Sequence, residues 1–205
     1  MERGVRVTGA GRAAGPRDQC VLTVGAEVRR ATAAAALAGC TEVVQRMREV
    51  FHAAGVPDAA LATSAVSLNP VHDQYPTVAG FQAALQLTAT TQDLAAAGAL
   101  LAEVVSAGGD DARVHEVSFR HSDPAALVVR ARDAAWADAL ARATQLADLA
   151  GRALGEVVSI DESHDRPPPP GPLRAMAAPE AGGAVPLDAG AGSVVVTLAV
   201  GWALR

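Results

Sequence analysis

The sequence predicts an α+β fold, with a mostly antiparallel sheet and alanine-rich helices packed on one of its faces. Segments in which apolar and polar residues alternate indicate strands, and segments with apolar residues every three or four positions indicate helices. These segments follow each other in the order β-β-α-β-β-α-β-α-β-β, without the strict strand–helix alternation of a parallel sheet. We therefore expect residues 1–205 to form a single domain.

The composition limits both the core and the function. Half of the residues are apolar but only 3% are aromatic, so the core must be built from Ala, Val and Leu. The net charge of −5 gives no reason to expect nucleic-acid binding, which needs a basic face. The chain has 17 arginines and no lysine, which excludes a Schiff-base lysine and a P-loop lysine. No apolar run approaches the ~18 residues of a membrane-spanning helix.

The N-terminal part predicts two strands and a helix. Val5–Thr8 forms a short strand, and the following Gly9–Gly11 resembles a turn. Residues 19–28 alternate with a period of two, which is typical of a half-buried strand. From 31 to 54 the apolar residues step by three and four, which indicates a helix that Thr32 caps and Gly55 ends.

The middle of the chain predicts strands at 62–71 and 78–90, joined by a connection that is too long for a tight hairpin. Residues 90–93 resemble a capping box, so we expect a helix from there to Gly108. A strand at 114–119 follows.

The C-terminal part contains the clearest helix, with Asp123 as N-cap and Pro124 in its first turn. Its predicted buried stripe consists of Val129, Trp136, Leu140, Ala143, Ala147 and Ala150. A strand lies within 153–162, and residues 165–192 are interpreted as a mobile excursion rich in Pro, Gly and Ala. The final strand, 194–204, alternates cleanly; at a sheet edge it would favour pairing with another copy.

Few residues suggest chemistry. Cys20 and Cys40 lie in apolar patterns, without a metal or redox spacing, and are interpreted as buried free thiols. His115, His121 and Asp123 are the best candidates for a metal-dependent or hydrolytic site, but closed metal sites usually show tighter ligand spacing, so chance placement of exposed polar residues is the favoured interpretation. We assign no catalytic residue, no metal ligand and no cofactor, and we expect a protein that is not an enzyme.

The ordered motifs resemble the SIMPL-domain family, whose bacterial branch includes YggE-like and periplasmic immunogenic proteins. The similarity covers nearly the whole chain. The opening 5–11, the strand 22–25 and the passage 55–58 are similar to the family's first elements, and Tyr75 with Gly80-Phe81 fits its tyrosine-bearing loop. The strongest match is the alanine-rich helix and its exit turn, with Arg132, Ala135, Asp138-Ala139, Arg142-Ala143, Leu146-Ala147, Gly151 and Leu154-Gly155.

The resemblance implies an α+β fold and self-association. Its eukaryotic namesake is a signalling adaptor associated with a kinase, and bacterial members are linked to envelope and oxidative-stress phenotypes. Bacterial relatives usually carry a signal peptide, whereas residues 1–8 contain no apolar segment. We therefore expect a cytoplasmic protein as the sequence is written, or a periplasmic or otherwise extracytoplasmic one if a leader was removed.

Two kinds of function follow from these observations. The first is a self-associating, homo-oligomeric scaffold or interaction protein. The second is a module that binds a small molecule or a partner peptide. The residues expected to contact a protein partner are Pro167, Pro168, Pro169, Pro170 and Trp202, because a proline-rich segment can dock into an aromatic groove.

Overall fold

The computed structural model describes residues 4–163 and 185–205. Within these ranges the chain forms seven strands and three helices in the predicted order, which confirms the α+β class. The strands are β1 (Gly4–Pro16), β2 (Gln19–Arg30), β3 (Leu61–Gln74), β4 (Thr77–Thr91), β5 (Ala112–Arg120), β6 (Leu154–Ser163) and β7 (Ala191–Leu204). The helices are α1 (Ala33–Ala53), α2 (Ala97–Gly108) and α3 (Pro124–Leu149).

These elements belong to two compact units, each with its own core. The described part of the four-stranded unit consists of residues 17–120 and 185–189. The described part of the three-stranded unit consists of residues 4–16, 121–163 and 190–205. The chain therefore begins in the three-stranded unit, leaves it after Pro16 and returns to it at His121.

The four-stranded unit is an antiparallel sheet in the order β3-β4-β2-β5, with α1 and α2 on one face. Thr32 caps α1 as predicted, since its Oγ1 accepts the amide N–H of Ala35 at 3.2 Å. Gly55 ends the helix with a φ of 80°, a conformation that glycine adopts without strain. The largest fully buried side chains here are Leu22, Met47, Phe51 and Leu87.

The connection between β3 and β4 is shorter than predicted. The strands continue to Gln74 and resume at Thr77, so only Tyr75 and Pro76 join them, through a cis peptide bond. His72 and Asp73, which fall in the predicted connection, belong to β3. They lie in an exposed part of an edge strand, where no core imposes an apolar alternation.

The helix α2 begins later than predicted. Asp93 Oδ1 accepts the amide N–H of Ala96 at 3.0 Å, which orders a turn before the helix starts at Ala97. Within the four-stranded unit, the segment 185–189 packs beside this helix. Val185 lies over Gly98, where a Cβ would overlap the Val185 carbonyl oxygen, and Leu187 packs against the core.

The three-stranded unit is an antiparallel sheet in the order β1-β7-β6, covered on one face by α3. The final strand β7 does not lie at a sheet edge, the condition under which it would favour pairing with another copy, because it pairs with β1 on one side and with β6 on the other. Its backbone groups are therefore already used within the sheet. Its buried side chains Val196, Leu198, Val200 and Trp202 form the centre of this core.

Gly9 and Gly11 form no turn, contrary to the prediction, but lie inside β1 directly beneath α3. A Cβ at Gly9 would overlap the backbone of Ala135 and Ala139, and one at Gly11 would overlap Ala131 and Ala135. The two glycines therefore allow the helix backbone to approach the strand closely.

This close approach also corrects the predicted stripe of α3. Asp123 caps the helix as expected, with its Oδ1 accepting the Ala126 N–H at 3.0 Å. Its buried residues, however, follow a spacing of four: Leu127, Ala131, Ala135, Ala139, Ala143 and Ala147. The buried helix residues that face Gly9 and Gly11 are all alanine: Ala131, Ala135 and Ala139. Val129 and Leu140, predicted to be buried, are 51% and 39% exposed.

Candidate functional site

The residues predicted to carry chemistry have structural roles. His121 lies with Nδ1 2.9 Å from the Pro16 carbonyl oxygen, and Asp123 caps α3. His115 is an exposed residue of β5 in the four-stranded unit. Across 4–163 and 185–205, no three His, Cys, Asp or Glu side chains lie close enough together to hold a metal ion.

Both cysteines are buried free thiols, as predicted. Burial raises the pKa of Cys20. Burial also raises the pKa of Cys40, whose Sγ lies 3.3 Å from the Ala26 carbonyl oxygen. Since the thiolate is the nucleophile and metal ligand, both thiols are held in their unreactive form.

A cavity of about 400 Å³ lies beside the end of α1 in the four-stranded unit. Its lining consists of Gln19, Ala54, Gly55, Val56, Pro57, Ala60, Thr90, Thr91 and Gln92. None of these side chains is charged. The lining therefore offers amide, hydroxyl and apolar groups.

The outer edge of β1 is covered by side chains of the three-stranded unit. Arg142 Nη1 donates to the Thr8 carbonyl oxygen at 3.2 Å, and Asp138 Oδ2 accepts the Ala10 N–H at 2.9 Å. Arg130 donates to the Ala14 carbonyl oxygen at 3.4 Å. Backbone groups that would otherwise pair with another strand are therefore occupied.

The pKa of Asp138 reflects this arrangement. The hydrogen bond from the Ala10 amide lowers the pKa of the carboxyl group, and a hydrogen bond from Arg142 lowers it further. The ionised carboxylate is therefore the form that holds the β1 edge.

Two ion pairs connect β6 to its neighbours. Arg132 of α3 donates to both carboxylate oxygens of Glu162, at 2.9 to 3.1 Å, and this hydrogen bonding raises the pKa of Arg132. On β1, Arg6 pairs with Asp161 of β6. These exposed pairs orient the strand but contribute little free energy.

The three-stranded unit leaves apolar side chains uncovered on α3 and on β6. Val158 and Ile160 of β6 are 57% and 56% exposed, and Leu149 of α3 is 78% exposed. The rings of Trp136 and Trp202 lie 5.8 Å apart. Trp202 itself is 2% exposed, so in this chain its side chain serves the core. The predicted contact residues Pro167–Pro170 lie outside the described residues.

A second uncovered apolar surface lies on β3 of the four-stranded unit. We call residues 65–69 the β3 strip. Val66 and Leu68, which are 60% and 42% exposed, pair with Leu85 and Ala83 of β4. Leu85 and Ala83 belong to the face that packs against the helices, so Val66 and Leu68 share that face but lie beyond the helices' cover.

The β3 strip also lies at the edge of its sheet. In the part of the chain that the structure describes, its hydrogen bonds connect β3 to β4 and reach no other element. Residues 61–72 contain no Asp, Glu, Lys or Arg. By contrast, β5 carries Arg113, Glu116 and Arg120, and β6 carries Glu156, Asp161 and Glu162.

Edge strands usually carry charges or covering side chains that prevent pairing with other chains. β1 has the cover, and β5 and β6 have the charges. Among the residues that the structure describes, the β3 strip has neither, which distinguishes it from the other three sheet edges. Residues 62–71 are correctly predicted as a strand, but their exposure is not predicted; the absence of charge over the twelve residues 61–72 is the signal for it.

No helix within the described ranges is both long enough and apolar enough to cross a membrane.

The profile of the SIMPL family, described as a protein of unknown function (DUF541), matches residues 5–202. The 26 kDa periplasmic immunogenic protein of Brucella melitensis biotype 1 is 30% identical over 209 aligned positions, which cover 96% of this chain and 82% of that protein. The protein of the same description from Brucella abortus strain S19 has the same identity and coverage.

Among solved structures, an unknown protein from Galdieria sulphuraria aligns with 96% of this chain and 82% of its own, at 11% identity and a TM-score of 0.23. At that TM-score the likeness supports no structural inference.

Proposed function

Since the chain belongs to the SIMPL family, and that family is described by no activity, we propose a function from the surfaces of the molecule itself. The proposal is a self-associating scaffold or interaction protein without enzymatic activity. The observation that carries it is the exposed, uncharged edge of β3 with Val66 and Leu68 on its bare face. An apolar strand edge of this kind is a template for pairing with another strand.

The chemistry of the described residues supports the same proposal. His121 contacts a backbone carbonyl group, Asp123 caps a helix, His115 is exposed on β5 in the other unit, and the cysteines are buried. The cavity beside α1 has no charged lining residue. These features favour contact with proteins over acid–base or nucleophilic catalysis.

The test is the native mass, measured by light scattering on a sizing column over a wide range of protein concentrations. The proposal expects a discrete oligomer whose mass is a fixed multiple of the 20.7 kDa chain. A chain that stays monomeric at the highest concentration overturns the proposal.

The Brucella relatives are named as periplasmic proteins, and we extend this location to the present chain as a proposal. Cell fractionation of the full-length protein in its own host tests it. Recovery with periplasmic markers is the expected result, and recovery with cytoplasmic markers alone contradicts it.

The cavity favours a second candidate function, the binding of a small neutral molecule. Native and denaturing mass spectrometry of protein purified from its own host would detect such a ligand as extra mass in the native spectrum only. Equal masses in both spectra would remove the support for this candidate.

A further inference from the structure

We propose that the β3 strip pairs with the β3 strip of a second copy, antiparallel and around a twofold axis that passes through Ser67. This inference rests on the proposed self-association and names its interface. Two four-stranded sheets would then form one continuous sheet of eight strands across the contact.

The limits of the pairing follow from the strand itself. The register between β3 and β4 is irregular between Thr63 and Ala65, which places Ser64 at a bulge. Pro70 has no N–H to donate. Between these two residues, Ala65–Asn69 pairs regularly with β4. An incoming strand can therefore form an uninterrupted ladder over these five residues, which is about the usual length of a strand.

The sequence of the strip is complementary to itself. An antiparallel pairing centred on Ser67 places Val66 opposite Leu68 of the second copy, and Leu68 opposite Val66 of the second copy. Both apolar pairs lie on the face where these side chains are exposed. Ser67 meets Ser67 of the second copy on the other face. No charge opposes any of these contacts.

This self-complementarity is the reason to choose a second copy as the partner. In a twofold contact the same surface is used by both subunits, so every residue must tolerate its opposite number. A foreign strand would need no such symmetry. The remaining sheet edges are less suited, because β1 is covered by α3 side chains while β5 and β6 are charged.

Cross-linking tests the register. Directly opposite residues of an antiparallel pair have Cα atoms about 4.5–5.5 Å apart, which a disulfide can bridge. We expect Ser67→Cys to form a disulfide-linked dimer on mild oxidation. The matched control is Asn69→Cys on the same strand, whose counterpart in the second copy lies four residues away, roughly 13 Å. It should not cross-link, and the two native cysteines are buried and cannot compete.

Charge complementation tests the partner residues. Val66→Glu or Leu68→Lys alone places a charge opposite an apolar side chain at both ends of the contact, and should raise the dissociation constant at least about tenfold. A mixture of the two variants forms a heterodimer with Glu opposite Lys at one end and Leu opposite Val at the other. We expect this mixture to regain association, while circular dichroism shows that each variant is folded.

The outcomes separate this inference from the proposed function. If the wild-type chain is monomeric at every concentration, both are overturned. If it is oligomeric but Ser67→Cys does not cross-link and the charged variants keep their mass, only the β3 pairing is overturned. A third outcome also overturns the β3 pairing. In it, the β3 strip binds an added foreign strand and not its own copy, so a heteromeric complex forms with the wild-type chain and is absent with Val66→Glu.

Discussion

Gly11 of β1 lies so close to Ala131 of α3 that a Cβ on the glycine would overlap the alanine's carbonyl oxygen. The atom in the way belongs to the helix backbone, so no side-chain rotation can relieve the overlap. The packing of α3 on its sheet therefore depends on the absence of one methyl group.

We predict that Gly11→Ala destabilises the three-stranded unit by about 3 kcal/mol, because the helix must move away from the strand. Both tryptophans of the chain, Trp136 and Trp202, lie in this unit, so urea unfolding followed by tryptophan fluorescence reports on it. Gly15→Ala is the matched control. The added Cβ at position 15 would lie 3.3 Å from the Leu127 side chain, which can move. The substitution should therefore lower the free energy of unfolding by less than about 1 kcal/mol. Equal midpoints for both variants would contradict the prediction.

The cap of α3 gives a second prediction. Asp123→Ala removes the acceptor of the Ala126 N–H and should lower the free energy of unfolding by about 1 kcal/mol. Asp148→Ala, near the other end of the same helix, removes a negative charge from the negative end of the helix dipole, so stability should be unchanged or slightly higher. A loss of the same size in both variants would show that the cap contributes nothing specific.

The lowered pKa of Asp138 predicts a pH dependence. A carboxyl group whose pKa is lower in the folded chain stabilises the fold above its unfolded pKa, about 3.9, and loses this contribution as the pH falls through the folded pKa. Asp138→Ala should therefore be less stable than wild type at neutral pH. The difference should narrow in acid, as measured by urea unfolding at several pH values. A difference in the free energy of unfolding between Asp138→Ala and wild type that stays constant with pH would contradict the prediction. Asp133→Ala, on the same helix, serves as the control.

The buried thiols predict slow chemical modification. In the native chain, Ellman's reagent should detect almost no free thiol, because Cys20 and Cys40 are both fully buried and burial raises their pKa. In guanidinium chloride both thiols should react. Rapid reaction of either cysteine in the native chain would mean that the four-stranded unit opens readily in solution.

The parts of the fold that could be predicted are those governed by local rules. The strand β2 and the caps Thr32 and Asp123 each depend on residues near each other in the chain, and all three are found in the structure, although Val21 and Gly25 on the other face of β2 are buried as well. The order of strands and helices follows from such signals alone.

The errors come from contacts between distant segments. The buried face of α3 is set by Gly9 and Gly11, more than a hundred residues earlier, which favour alanine over the larger Val129 and Leu140. The central position of β7 depends on its pairing with β1. The exposure of Val66 depends on how far the helices extend over the sheet. A periodic pattern reports that a face is apolar, but it does not report which neighbour is small enough to approach it.

The pairing of β1 with β7 also has a consequence for synthesis of the chain. Gly11 is aligned with Val196, so the partner of one of the first strands to leave the ribosome is made only after all strands and helices of the four-stranded unit. All strands and helices of the four-stranded unit are synthesised before β6 and β7. By contrast, β1 has no strand to pair with until β7 has been synthesised. Translation order thus separates the two units in time, and the nascent three-stranded sheet is the one that most needs protection until β7 emerges.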